Sequence, residues 1–367
     1  MSFRLPRYSP PDFNRPPLKD APLITLESVK KPGVAPQSFH ATSIYPEYFH
    51  VRKGEWKLLE DPRMDCVVVL ESNNSLYAKE FRCLLPGDRV VCGRSENGRE
   101  GIYVHTKGFK FPSYLSGKFS FRIFLTRETS FSFDYDELYE LLVHERENGF
   151  ILWVSGPAVV FDRDARDAFV WLIEKGYVHG LLAGNALAVH DVEGALFNTA
   201  LGQDIYTKRT APLGHYKHLD AINRIRAAGS IRDGIEKGII GEGVMYALAR
   251  HNIPFVLAGS IRDDGPLPEV IADVYEAQDR MRVFTKQATT IITLATQLHA
   301  IATGNMAPSY KVMKDGQIRP VYFYSVDMSE FAVTKLANRG SLTARSILTN
   351  VQDFMVNVRR GLSRKTK

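Results

Sequence analysis

From Gly149 onward the chain alternates short apolar runs with amphipathic stretches, and this alternation narrows its fold more than any other feature. Short apolar runs bounded by glycine or turn residues read as strands covered on both faces. The stretches between them carry apolar residues at three- and four-residue spacing, as helices packed on a sheet do. Strand and helix in turn give a doubly wound parallel sheet. Six runs qualify as strands: Phe150 to Val154, Val178 to Ala183, Phe255 to Ala258, Thr290 to Ala295, Val321 to Val326 and Ser346 to Val351. The expected fold is therefore α/β, with a Rossmann-like six-stranded parallel sheet. Between the strands, Phe169, Leu172 and Ile173 face inward before Gly176, and Leu219, Ile222 and Ile225 do so before Gly229.

Open α/β sheets bind ligands at the carboxyl ends of their strands, so the residues ending each run form a set. They are Ser155-Gly156-Pro157-Ala158, Ala183-Gly184-Asn185-Ala186, Gly259 to Gly265, Ala295 to His299, and Asp327. Small residues there let backbone N–H groups approach a phosphate, and helix N-termini favour negative charge. Asp327 could accept hydrogen bonds from a ribose hydroxyl pair. The alternative reading is that the glycines only make tight turns, for there is no GxGxxG. The third end is the most polar, with Arg262, Asp263 and Asp264 in a loop from Ser260 to Pro266. Pro268 stands where a helix can begin, and Val270, Val274, Ala277 and Met281 recur at helical spacing. That loop is either a ligand site or an ordinary connection with Asp264 as a helix cap. The longest non-periodic stretch, Gly202 to Lys217, is a polar loop ending on His215, Lys217 and His218.

Upstream the pattern differs. Residues 1–37 carry eight prolines and read as an extended arm, suited to wrapping a neighbouring subunit. Residues 38–130 hold short β-type runs at 48–52, 66–70, 89–92 and 120–125, separated by Asn73-Asn74, Pro86-Gly87-Asp88 and Asn97-Gly98. This is a small β-domain. A helix with Asp134 or Asp136 as cap and Leu138, Leu141 and Leu142 on one face leads into the α/β domain, residues 131–355. Residues 356–367 form a basic tail. The net charge of +6 suits anionic ligands, but the charges are interspersed, so neither nucleic acid nor a membrane surface is expected as a partner. Three cysteines without CxxC spacing argue against a disulfide framework or a metal site and fit a reducing cytoplasm. The N-terminus has no secretory apolar run, and no segment has membrane-spanning length.

Several long motifs resemble one family. They are Gly156 to Asp204, GHYKHLDAINRIRAAGSI from Gly214, Pro254 to Met281, LHAIATGNMAP from Leu298, VTKLANRGS from Val333 and, in the β-domain, His40 to Val69. These are similar to the archaeal-type ornithine cyclodeaminases, also labelled LOR/SDH, and to the last part of the cyanobacterial arginine dihydrolase/ornithine cyclodeaminases. The resemblance covers roughly residues 38–355. It implies a sheet of the deoxyhypusine-synthase-like NAD-binding type, NAD as a recycling cofactor, a small amino acid as substrate, and a homo-oligomer. It places cofactor contacts at Gly156, Pro157, Ala158, Asn185, Ala186, Asp264, Thr296, Gln297, Leu298, His299 and Asp327. The implied chemistry takes a hydride from the α-carbon of ornithine, closes the δ-amine on the resulting imine, releases ammonia and returns the hydride to give proline.

Such chemistry needs a base for the α-ammonium, a cation for the substrate carboxylate and an anionic or polar pocket for the distal ammonium. Residues of those kinds are His215 or Lys217 for the amine, Arg262 for the carboxylate, and Asp263 for the cation or as an orienting group. The bland readings are that His215 and Lys217 are loop surface and that Arg262 and Asp263 pair with one another. The chain departs from the family pattern in three places: His215-Tyr216-Lys217-His218 replaces a His-Arg-His-His run, Met328-Ser329 replaces Ile-Asn, and Thr349-Asn350-Val351-Gln352 replaces Thr-Asp-Val-Gly. The segment Ala307 to Pro320 is also enlarged, and the proline-rich arm stands where the archaeal relatives have a further domain.

Overall fold

The computed structural model describes residues 4–110, 131–263, 265–329 and 341–365. The expected strand at 120–125, the VTKLANRGS motif up to residue 340, and Asp264 lie outside the described residues.

All six expected strands form, and a seventh joins them. In chain order they are β1 (Ile151–Ser155), β2 (Gly180–Gly184), β3 (Phe255–Ala258), β4 (Val270–Ile271), β5 (Thr290–Leu294), β6 (Tyr322–Asp327) and β7 (Thr343–Leu348). They hydrogen-bond in the order β4-β3-β2-β1-β5-β6-β7, every pair parallel. The extra strand corrects the helical reading of Val270. Asp273 accepts hydrogen bonds from the Tyr275 and Glu276 N–H groups, so the helix starts at Val274 and not after Pro268. Val270 and Ile271, released from the helix, pair with Leu257 and Ala258.

The helices are α1 (Phe131–Asn148), α2 (Arg163–Glu174), α3 (Asn185–Phe197), α4 (Gly214–Ala228), α5 (Ile231–Glu236), α6 (Val244–Arg250), α7 (Val274–Thr285), α8 (Gln297–Met306) and α9 (Val351–Lys365). Two apolar layers cover the sheet, one through Trp153, Phe169 and Leu181, the other through Leu152, Val154 and Phe323. Alternate residues of β1 feed opposite layers, as a strand buried on both faces must. Leu138, Leu141 and Leu142 of α1 are buried as expected, but Asp134 and Asp136 lie inside the helix rather than capping it. Ile225 of α4 is buried, whereas Leu219 is 48% exposed and does not face the core. Among the described residues, no helix is long and apolar enough to cross a membrane.

The N-terminal part contains a four-stranded sheet, in the order Thr25–Ser28, Arg89–Cys92, Val67–Leu70, Leu76–Lys79, and a three-stranded sheet of Glu55–Leu58, Glu47–Arg52 and Ile102–Val104. The expected free arm is corrected here. Residues 25–28 are an edge strand paired with residues 89–92, and Arg7–Tyr8 pairs with Phe109–Lys110. Prolines stop at Pro22 and resume at Pro32, which leaves just enough chain for a strand. The enlarged segment is a hairpin, Tyr310–Val312 with Ile318–Pro320, and it docks on the β-domain: the buried Tyr310 hydroxyl donates to the Leu59 carbonyl at 2.5 Å. Arg82 on the β-domain meets Asp279 on α7 at 2.6 Å.

Candidate functional site

β1 has β2 on one side and β5 on the other, so the order in which strands are added outward reverses across the parallel β1/β5 pair. This is the switch point at which open α/β sheets leave a crevice beyond their carboxyl ends. The connection leaving β1 is unusually tight. The Gly156 N–H donates to the Leu294 carbonyl at 2.8 Å, and a Cβ on Gly156 would lie 2.1 Å from the Ala295 oxygen. Only glycine lets the turn leave β1 against β5. Pro157 then opens a 3-10 turn, Pro157–Phe161. Gln352 on α9 donates from Nε2 to the Ala158 carbonyl at 2.9 Å and fixes that turn, while Asn350 accepts from the Gln352 N–H at 2.7 Å. The Asn350 and Gln352 departures from the family pattern thus keep a helix cap and add a brace.

The helix starts fall into two groups. Asp162 caps α2, Ser230 caps α5 and Asp273 caps α7, each through its own side chain, and the Asp191 carboxylate accepts from the first N–H groups of α6. By contrast, the turns opened by Gly156, Gly184 (α3), Leu213 (α4) and Thr296 (α8) receive no side-chain cap from those residues. Uncapped helix N–H groups and the positive end of the helix dipole together make an anion seat. These four starts are the segments in which the sequence places Gly156 to Ala158, Asn185-Ala186, Thr296 to His299, and His215 with Lys217.

The side chains divide accordingly. His299 projects from α8 across the end of β1 to β2, its Cε1 3.2 Å from where a Cβ on Gly184 would stand. Burial pushes its pKa below the ordinary 6.5, partly offset by the Asp263 carboxylate, so the ring is neutral at neutral pH. No hydrogen bond satisfies that ring among the described residues, which sets it apart from a core histidine. Asp263 folds back to accept from the Ser260 N–H at 2.8 Å, and Arg262 forms no ion pair with it or with any other described residue. The polar loop is tied down by Asn185, whose Oδ1 accepts from the Leu267 N–H at 3.1 Å, and by Arg226, which donates to the Pro266 carbonyl at 2.8 Å. Asn185 therefore braces the loop while Ala186 beside it is exposed. Gln297 and Leu298 are exposed at the start of α8. Asp327 ends β6, two strands from β1, with Oδ1 accepting from the Ser329 N–H at 2.8 Å.

His215 and Lys217 are not in a loop. Residues 199–204 form a small hairpin, and α4 begins at Gly214, which packs so closely on Gly202 that a Cβ there would lie 2.5 Å from the Gly202 oxygen. His215 is exposed in the first turn, its ring 4.3 Å from that of Tyr216. The Lys217 ammonium is engaged elsewhere, 4.6 Å from the Phe197 ring centroid. Sequence reasoning missed a histidine–glutamate pair on α3, His190 and Glu193; their spacing of three on a helix was the available signal. No group of three or more histidine, cysteine or acidic residues able to hold a metal occurs among the described residues.

With this geometry in hand, comparison with known proteins is specific. Residues 137–358 match the family model described as arginine dihydrolase ArgZ-like, C-terminal, Rossmann fold. The ornithine cyclodeaminase of Methanopyrus kandleri is 40% identical over 346 residues, 93% of this chain and 79% of its own. The crystal structure of a conserved LOR/SDH protein from Methanococcus maripaludis superposes with a TM-score of 0.82 at 33% identity, covering 94% of this chain and all of that one. AgrE, solved as a ternary complex with ornithine and NAD+, matches with a TM-score of 0.59 at 33% identity, over 95% of this chain and 47% of its own. The chain is thus a member of the ArgZ-like C-terminal Rossmann-fold family, alongside the archaeal ornithine cyclodeaminases.

Proposed function

We propose that this chain is an NAD-dependent cyclodeaminase that converts ornithine, or a similar diamino acid, into proline, or the corresponding cyclic imino acid, and ammonia. The observation that carries the reading is the meeting, at the β1/β5 switch point, of the turns opened by Gly156 and Thr296, which their own side chains do not cap, next to His299, whose neutral ring has no hydrogen bond among the described residues. The residues present fit a dinucleotide. Gly156 lets the first turn pack against the Ala295 carbonyl and Gly184 brings the end of β2 against His299, and the first-turn N–H groups of Ala158, Ala186 and Leu298, in turns that their own N-cap side chains do not cap, are offered to phosphate oxygens. Asp327 offers a carboxylate oxygen to ribose hydroxyls. When bound, NAD accepts a hydride from the substrate α-carbon and returns it to the ring imine, so the net reaction is redox-neutral.

The chain's own groups do the rest. Arg262, without an ion-pair partner among the described residues, holds the substrate carboxylate. Asp263, whose charge acts on the His299 ring, presents negative charge to the distal ammonium. His215, exposed in the first turn of α4, is the candidate for the reacting amine there, and Gln352 keeps the Ala158 turn from shifting. The names of the relatives support this reading. The test is incubation of the purified protein with ornithine and NAD. Proline and ammonia in equal amounts without accumulating NADH is the expected result. Accumulating NADH would make the protein an amino acid oxidoreductase with net redox, and NAD binding without turnover of any diamino acid would make it a non-enzymatic NAD-binding protein.

A further inference from the structure

Beneath Ala186 on the same face of α3 lies a polar pair outside the set already described. His190 follows Ala186 by four residues, about 6 Å along the axis. Helical side chains tilt towards the N-terminus, so its imidazole rises towards the exposed start of α3. The His190 Nδ1 lies 2.9 Å from Glu193 Oε2. Glu193 is fully buried, and its oxygens also accept from Thr199 Oγ1 at 2.9 Å, the Leu201 N–H at 3.1 Å and the Gly202 N–H at 3.0 Å. Burial raises the pKa of that carboxyl, but the hydrogen bonds from His190, the Gly202 N–H and Thr199 outweigh it and hold Glu193 ionised. An ionised acceptor on Nδ1 makes His190 carry its proton there and leaves Nε2 as an acceptor. No described residue takes that Nε2. The ring is bordered by Phe161, edge-on at 5.3 Å, and by His218 of α4 at 6.3 Å. The ring thus sits between the last residue of the 3-10 turn, the middle of α3 and the second turn of α4.

We propose that His190, oriented by Glu193, is the proton acceptor for the substrate α-ammonium, in preference to His215 or Lys217. This rests on the cyclodeaminase reading. The α-ammonium gives one proton to Nε2, the imidazole becomes imidazolium beside the Glu193 carboxylate, and the nitrogen keeps the electron pair it needs to become an imine. The same proton returns to that nitrogen when it leaves as ammonia, so the pair ends as it began. His190 is the group in contact with substrate and Glu193 is a positioning residue.

The test uses the full chain carrying His190→Gln. Turnover of ornithine should fall by about 10²–10⁴-fold, the acid limb of the kcat–pH profile should vanish, and NAD affinity and the thermal midpoint should hold. Glu193→Gln should lower kcat more than KM. Wild-type kcat and pH profile in His190→Gln would overturn the assignment. If that variant does not fold, histidine-labelled wild-type protein decides by 15N NMR. A His190 ring protonated on Nδ1, whose Nε2 responds to ornithine added with NAD, supports the proposal, and an Nε2-protonated or unresponsive ring overturns it. Should wild-type protein turn over no ornithine, the functional reading fails on its own, and the same ring spectrum, taken with other diamino acids and NAD, still judges the base.

Discussion

The two edges of the parallel sheet handle polar groups in opposite ways. At the amino edge, Glu145 of α1 is fully buried and pairs with the buried Arg319 at 2.8 Å, while Thr289 donates to it and the His144 ring lies 2.9 Å away. Apart from Arg319 Nε, that cluster consumes its own hydrogen-bonding capacity. At the carboxyl edge, the turns opened by Gly156, Gly184 and Thr296 receive no cap from those side chains, and among the described residues Arg262 has no ion-pair partner and the rings of His299 and His190 keep a nitrogen without a hydrogen bond. Polar groups that satisfy one another hold the fold, and those left unsatisfied at a switch point are held for something else. The price of the second arrangement is local stability, which places it at a site rather than in a scaffold.

The contrast can be attacked from either side. Arg319→Leu at the amino edge leaves the Glu145 charge buried and unpaired, and stability should drop by about 3–5 kcal/mol in urea unfolding, with NAD affinity of the folded protein intact. A loss below about 1 kcal/mol would deny that the cluster is a scaffold. Gly184→Ala at the carboxyl edge should do the reverse. The Gly184 backbone, at φ −99°, tolerates alanine, but the new Cβ meets His299 at 3.2 Å and shifts it by a few tenths of an ångström. NAD affinity should fall about tenfold by calorimetry while the unfolding midpoint barely moves. The smallest effect concerns pH. The His299 pKa is depressed in the fold, so the unfolded chain binds more protons below pH 6.5. Its contribution to stability is complete above that pH and is lost as pH falls through the folded value. His299→Leu should flatten that slope in unfolding curves taken on either side of pH 6.5, and an unaltered slope would remove His299 from the account.

Much of this was legible from residue patterns, and the misses share a cause. β-branched runs such as Thr290-Ile291-Ile292-Thr293 cannot be anything but buried strand, and Gly156 and Gly184 mark the places where backbone comes close. A two-residue strand such as Val270–Ile271 has no period to detect, so the helical spacing of its neighbours absorbed it. The start of α4 was hidden because Leu213 gives no capping signal. The polar hairpin ahead of it reads as loop. Side-chain aim is the other gap. Residue chemistry offers Lys217 as a base and the resemblance offers Asn185 as a cofactor contact; in the structure the Lys217 ammonium lies over Phe197 and the Asn185 Oδ1 accepts from the Leu267 N–H, aims that no residue pattern encodes. Conversely, His190 sits in a run of buried apolar residues, where it looks like filler until Glu193 is seen to hold its Nδ1.

The central claim is that the uncapped helix starts at the carboxyl edge are the seat of the dinucleotide. Amide hydrogen exchange of the full chain, measured with and without saturating NAD, tests it most directly. The account predicts added protection concentrated in residues 156–158, 184–187 and 296–299, with none around Glu145 and Arg319; protection spread elsewhere, or no change in those three segments, would contradict it.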